Sequence, residues 1–272
     1  MKFGICNELY ENWDFADVCR SVKSIGYDGL EIAPFTLAPL ITDVSASRRS
    51  ELRRIMEETG VECIGLHWLL AKTEGFYLTT PDSAIRLKTL DYIKALTECC
   101  RDLGGKIMVF GSPKQRDLLP GVSDESAMGY AAEVFSALTP TLADCGVTLC
   151  LEPLAPSETN FLNTIDQANV LIERVGHPNF RLHLDVKAQS SEPNTTVPEL
   201  WARHGADARH AHAQDVNLKG PGMGQVDFGP IVQSLAASGY PGYLSVEVFD
   251  FTPGAEETAR ISLTTLRQAA GV

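Results

Sequence analysis

Residues 146–153 read GVTLCLEP: a glycine, an apolar run of strand character, then a glutamate closed off by proline. The same pattern returns downstream as RLHLDVK at 181–187, RHAHAQD at 209–215 and YLSVEVF at 243–249. Each run carries an acid or an imidazole at or near its downstream end: Glu152, Asp185, one of His210 and His212, and Glu247. Taken with His212, the intervals are 33, 27 and 35 residues, about the pitch of one strand-plus-helix unit. In a closed barrel of parallel strands, side chains at the C-terminal strand ends converge on one face, and that face carries the active site.

Working outward, the alternation fills the chain. Strands are predicted at 3–6, 29–33, 62–67, 106–110, 147–152, 181–186, 208–213 and 243–248. Helical periodicity lies between them, near 14–26, 46–60, 82–104, 124–145, 164–176, 196–205, 229–239 and 255–270. Gly26, Gly60, Gly104, Gly146, Gly176 and Gly239 each follow a helical stretch, where a residue of left-handed conformation ends a helix. Strands alternating with helices of this length imply parallel units with right-handed crossovers. The expected fold class is α/β, a single (β/α)8 TIM barrel spanning 1–272. Segments 68–82, 111–123 and 214–228 follow strands, so they belong to the active face.

Composition narrows the functional classes. The chain has 272 residues, 44% apolar and 21% charged, with a formal net charge of −12. That acidity argues against a constitutive binder of nucleic acid or of anionic membranes. No apolar run approaches the ~20 residues that span a bilayer, and MKFGICNELY reads as a first strand rather than a cleavable leader. The seven cysteines form no CxxC pair and sit among apolar neighbours, as buried thiols do in a reducing compartment. The cytoplasm is the expected location, and a homodimer or homotetramer the expected assembly.

The four strand-end residues carry the chemistry. Singly, each reads as a surface or ion-pair side chain, and alternation points His210 and His212 the same way. Glu247 interrupts an apolar run, and a buried glutamate needs a partner or a metal. Jointly, three carboxylates and one imidazole make an oxygen-rich set for one divalent metal ion, Mn2+ first, with Mg2+ or Co2+ as alternatives. Such an ion acts as a Lewis acid on a vicinal carbonyl and hydroxyl as an enediolate develops. Glutamates on the fifth and eighth strands, flanking the substrate carbon, suit proton removal on one face and return on the other.

The element EPLAPSETN at 152–160, the HAHAQD stretch at 210–215 and SVEVF at 245–249 resemble the xylose-isomerase-like barrel superfamily, in its sugar phosphate isomerase/epimerase branch. Over its whole length the chain is similar to D-tagatose and D-allulose 3-epimerases. The resemblance implies Glu152, Asp185, His212 and Glu247 as ligands, with His212 chosen over His210. It implies Glu152 and Glu247 as the acid/base pair and Glu158 as a substrate-binding acid. Two positions depart from the pattern: Ala188 stands where those epimerases carry a substrate-contacting histidine, and Leu218 where they carry an arginine. Lys187 and Lys219, beside the vacated positions, are substitutes to weigh against solvated surface lysines.

The expected activity is metal-dependent epimerisation or isomerisation of a ketose or keto-polyol through an enediolate. The alternative is a lyase or dehydratase acting on a keto-sugar, 3-keto-glycoside or keto-inositol after the same proton abstraction. A repair endonuclease of related fold needs a trinuclear zinc cluster with additional histidines, and residues 213–272 contain none. His67 and Trp68, ending the third strand, are expected at the sugar, with the indole against its apolar face. Glu31 reads equally as a pocket edge or an ion pair. Lys114 and Arg116 read as solvated loop residues, and His183 as a hydrogen-bonded core histidine. The GPGMGQVDF segment at 220–228 matches no nucleotide-binding spacing.

Overall fold

The computed structural model describes residues 1–272. Eight parallel strands close on themselves in sequence order: β1 (Lys2–Cys6), β2 (Gly29–Ile32), β3 (Glu62–Leu66), β4 (Ile107–Phe110), β5 (Thr148–Leu151), β6 (Phe180–Asp185), β7 (Ala208–Ala213) and β8 (Tyr243–Val246). Closure comes from β8 pairing with β1, Phe3 opposite Leu244 and Ile5 opposite Val246. This is the single (β/α)8 barrel that the alternation predicts. Gly65 shows why composition matters in the ring: a Cβ there would lie 1.7 Å from the Ile107 carbonyl oxygen, so only glycine lets β3 approach β4.

The outer ring is α1 (Phe15–Ile25), α2 (Ala46–Thr59), α3 (Ser83–Leu103), α4 (Asp124–Cys145), α5 (Ile165–Val175), a single turn α6 (Val186–Gln189), α7 (Val197–His204), α8 (Phe228–Ala237) and α9 (Ala255–Ala270). Side-chain oxygens of Asp14, Ser45, Asp82, Ser123 and Thr164 cap the starts of the first five helices by accepting backbone N–H bonds. The same five end on glycines in the left-handed region, as their sequence positions require. Pro140 lies inside α4 and removes a donor from the helix ladder. The Thr139 hydroxyl donates to the Ser136 carbonyl at 2.9 Å, giving that orphaned acceptor a partner.

Two differences from the sequence reading bear on the site. Strands β5 and β8 end at Leu151 and Val246, so Glu152 and Glu247 sit one residue beyond the last strand residue. Their N–H groups still donate to Phe110 and Ala213 of the neighbouring strands, which holds both side chains at the barrel mouth. Strand β6 stops at Asp185 and turns at once into α6, a turn that strand patterning does not anticipate. Asp185 Oδ1 accepts the Ala188 N–H at 2.6 Å, and Gln189 Oε1 accepts the Asp185 N–H at 2.7 Å. No helix is long and apolar enough to cross a membrane.

Candidate metal centre

Glu152, Asp185, His212 and Glu247 come together at the C-terminal mouth, one ligand atom from each lying within 4.8 Å of all the others. All four are buried, between 0% and 7% exposed. Asp185 spends Oδ1 on capping α6, and its Oδ2 has no hydrogen-bond partner. His212 donates from Nε2 to Glu31 Oε2 at 3.1 Å, which leaves the Nδ1 lone pair facing the carboxylates, 3.3 Å from Glu247 Oε2. A buried, unpartnered carboxylate oxygen and an imidazole nitrogen oriented by an outer carboxylate are the groups a divalent cation takes up. The residues present therefore fit such an ion.

Other groupings of acids, imidazoles and a thiol lie close enough to hold an ion, among them Cys6–Glu31–His67–His212 and His183–His210–His212. Neither of those two lines either cavity at the mouth. A third, Glu8–His67–Glu247, reaches a cavity only through its two acids, one on each, whereas the quartet sets Glu152, Asp185 and Glu247 together on one cavity. The internal residues instead form a supporting layer. His67 Nδ1 donates to Glu247 Oε1 at 3.1 Å, while its Nε2 lies 2.9 Å from Glu8 Oε2. His210 Nε2 donates to Glu31 Oε2 at 2.8 Å, the oxygen that also receives His212. Glu31 is thus the shared anchor of two imidazoles, with no edge on the pocket.

Several expectations need correction. His67 is fully buried and reaches Glu8 and Glu247, so it braces Glu247 from below instead of lining the cavity. His183 is buried but not hydrogen-bonded: neither ring nitrogen has a partner, and Nδ1 lies 3.5 Å from Glu152 Oε1. Arg116 is fully buried, donating to the carbonyls of Glu152 at 2.7 Å and Leu162 at 3.1 Å, so it props the backbone at Glu152. Glu8 belongs to this layer without being marked by the strand-end pattern. It enters because the chain turns tightly at Asn7–Leu9 after β1, and the only sequence signal is an acid just past a strand end.

The cavity above the quartet has a volume of about 460 Å3. Trp68, Glu158 and Lys187 line it, joined by Gln214 and Phe249. Lys187 Nζ pairs with Glu158 Oε1 at 2.5 Å, so neither group is a free surface charge. Lys219 lies apart from the cavity lining, 3.6 Å from Asp250. Gly111 faces Glu152: a Cβ there would sit 2.3 Å from Oε2. The carboxylate end would have to swing away from where it now meets the other three residues. Gly111→Ala is therefore expected to weaken metal affinity about tenfold, at the lower end of the loss caused by disturbing a ligand's support. Calorimetric titration with Mn2+ checks this, and an unchanged affinity would mean that Glu152 Oε2 is not needed.

Without a cation, the carboxylates titrate apart. Burial, then the charges of Glu247 and Asp185, pushes Glu152 well above the usual carboxylate range. Burial and the Glu247 charge push Asp185 up to about 7. Burial would raise Glu247 too, but the charge and contact of His212, with those of His67, outweigh it and hold Glu247 below the usual range. The metal-free cluster thus holds protons that an ion must displace. Below about 7 Asp185 is protonated and competes with the ion; above it the carboxylate is free. Metal affinity is expected to rise with pH through that value, and further as Glu152 gives up its proton. Calorimetry at pH 6.5 in buffers of differing ionisation enthalpy should show net proton release, whereas an affinity independent of pH would contradict this electrostatic picture.

With that geometry established, the family profile of the xylose isomerase-like TIM barrel matches residues 19–269. The chain belongs to this family. Within it, the chain is 26% identical over 256 residues to a D-psicose 3-epimerase of Ruminiclostridium cellulolyticum, covering 92% of this chain and 84% of that one. A fructoselysine 3-epimerase of Escherichia coli O157:H7 is 24% identical, with 91% and 90% covered. A 3-dehydro-D-guloside 4-epimerase of Escherichia coli K12 is 26% identical, with 91% and 92% covered. The barrel superposes on a crystal structure of D-psicose 3-epimerase in the presence of D-fructose with a TM-score of 0.87 at 20% identity, covering all of both chains. That superposition bears on the fold.

Proposed function

We propose that the protein is a divalent-metal-dependent epimerase of a ketose or keto-sugar, with Mn2+ the preferred ion. The carrying observation is the quartet itself. Two of its members are glutamates just past the ends of β5 and β8, both bordering one cavity. The epimerases among its relatives support the same reading.

When bound, the cation supplies Lewis acidity to the vicinal carbonyl and hydroxyl oxygens of the sugar. The chain's own residues handle the protons. His67 donates to Glu247 Oε1 and orients this carboxylate, which suits it to take the proton from the carbon beside the carbonyl. Glu152, across the cavity from Glu247, delivers a proton to the other face. In the reverse direction the roles exchange. Glu158, fixed by Lys187 and by the Ala155 N–H, offers a carboxylate to a sugar hydroxyl. The Trp68 indole, beside Phe249, gives a flat apolar surface for the sugar's C–H face.

Product analysis by NMR tests the reading: keto-sugars incubated with the Mn2+ enzyme should yield the epimer at the carbon next to the carbonyl. An unsaturated elimination product would contradict it. Ala188 and Leu218 supply no polar contact where the resemblance to ketose 3-epimerases implies one. Interconversion of free D-fructose and D-allulose is accordingly expected to run below about 10^4 M−1 s−1 in kcat/KM, the lower edge of ordinary enzyme efficiency. A steady-state value above that would show that the two positions do not restrict substrate choice.

A further inference from the structure

We propose that the barrel mouth accommodates a keto-sugar joined through oxygen to a ring substituent, with that ring lodged in a second chamber beside the metal centre. The inference rests on the epimerase reading and names its substrate class. The second chamber, about 480 Å3, lies over the ends of β1 and β2, whereas the first, about 460 Å3, lies over the remaining strands. Each falls within the ~300–1,000 Å3 typical of cavities that hold a small organic molecule. A free monosaccharide would fill only one.

Trp68 is the partition. Its ring lies 5.0 Å from Phe249, which lines the first chamber, and 5.6 Å from Phe35, which lines the second. Its φ of 51° is a conformation that a bulky side chain keeps only where the surroundings hold it. Beyond the partition stand Phe35, Tyr10 and Trp13, with Trp13 packed edge-on to Tyr10 at 5.3 Å yet 43% exposed. An aromatic wall left open at the mouth, next to a site for a polar sugar, fits a flat ring. Lys72 borders both chambers, its Nζ 4.0 Å from the Phe35 ring centre, and Arg48 lines the second. Both can donate to the oxygens of such a substituent. Glu11 and Asp14 on the same wall can accept from its hydroxyls.

The test compares three probes in the Mn2+ enzyme: a free keto-sugar, its phenyl glycoside and its glucosyl glycoside. Deuterium exchange next to the carbonyl gives kcat/KM, and calorimetry gives Kd. One of the two glycosides should exceed the free sugar by about tenfold or more in both, the factor expected of one aromatic stacking contact with its buried area. In Trp13→Ala that ratio should collapse toward one; the wild-type comparison stands even if this variant misfolds. The phenyl arm winning identifies an aromatic aglycone, and the glucosyl arm a second sugar. Equal values for all three probes would overturn the inference. Absence of exchange with every probe would count against the epimerase reading, and the Kd ratio would then decide the second chamber by itself.

Discussion

Asp185→Ala is expected to strip the centre of its metal and, with it, of activity. Oδ2 of this residue is buried, unpartnered and grouped with three other ligand atoms, so its loss removes one coordinating group outright. Disturbing a residue that merely supports a ligand costs about 10- to 100-fold in affinity. Removing a ligand should exceed the upper end of that range. The variant also loses the Ala188 N–H cap on α6, a local effect, so far-UV circular dichroism should show an intact barrel. Elemental analysis after dialysis gives the reading. Full occupancy in the variant would remove Asp185 from the ligand set.

The second large effect belongs to Glu152→Gln and Glu247→Gln. Glutamine keeps the size and one oxygen, so some metal should remain, but it can neither take nor carry the proton. A general acid or base typically contributes about 10^2- to 10^4-fold, and a loss of that size in proton exchange is expected for each variant. The two should differ in metal retention. Glu247 is braced by His67 and His212, both of which would face an amide in Glu247→Gln, whereas Glu152 meets only His183 among the imidazoles. Metal-replete variants at both positions that exchange at the wild-type rate would move the chemistry elsewhere, Glu158 and His183 being next in line.

The barrel and the meeting of the four proposed ligands at its mouth are legible in the sequence because both are periodic. Strand ends recur at the pitch of the unit, and each ligand terminates its own apolar run. What escaped the sequence depends on partners distant along the chain. His67 looked like a pocket residue because it ends a strand, yet its bond to Glu247 spans 180 residues. Arg116 sits in the polar run PKQRD and reads as solvated; its guanidinium folds inward to carbonyls 36 and 46 residues away. Alternation alone could not divide His210 from His212. In the structure both donate to Glu31, and only His212 turns its other nitrogen toward the carboxylates.

The supporting layer also explains why an ion centre can sit at the top of an apolar barrel. Buried carboxylates are costly unless paired. Here Glu31 is held well below the usual carboxylate range: burial opposes this, but the charges and hydrogen bonds of His210 and His212 outweigh it. Acid and imidazole alternate through Glu8, His67, Glu247, His212, Glu31 and His210, each within 3.3 Å of the next. That chain fixes one flank of the quartet, while Arg116 and Gly111 fix the position of Glu152 on the other.

The most direct measurement is deuterium wash-in. The Mn2+ enzyme is incubated in D2O with a panel of free and glycosylated keto-sugars, and hydrogen at the carbon beside the carbonyl is followed by NMR. The account predicts exchange at that carbon in at least one keto-sugar, accompanied by its epimer, and loss of both signals in Glu152→Gln and Glu247→Gln. A metal-loaded enzyme that exchanges no such hydrogen in any member of the panel would contradict it.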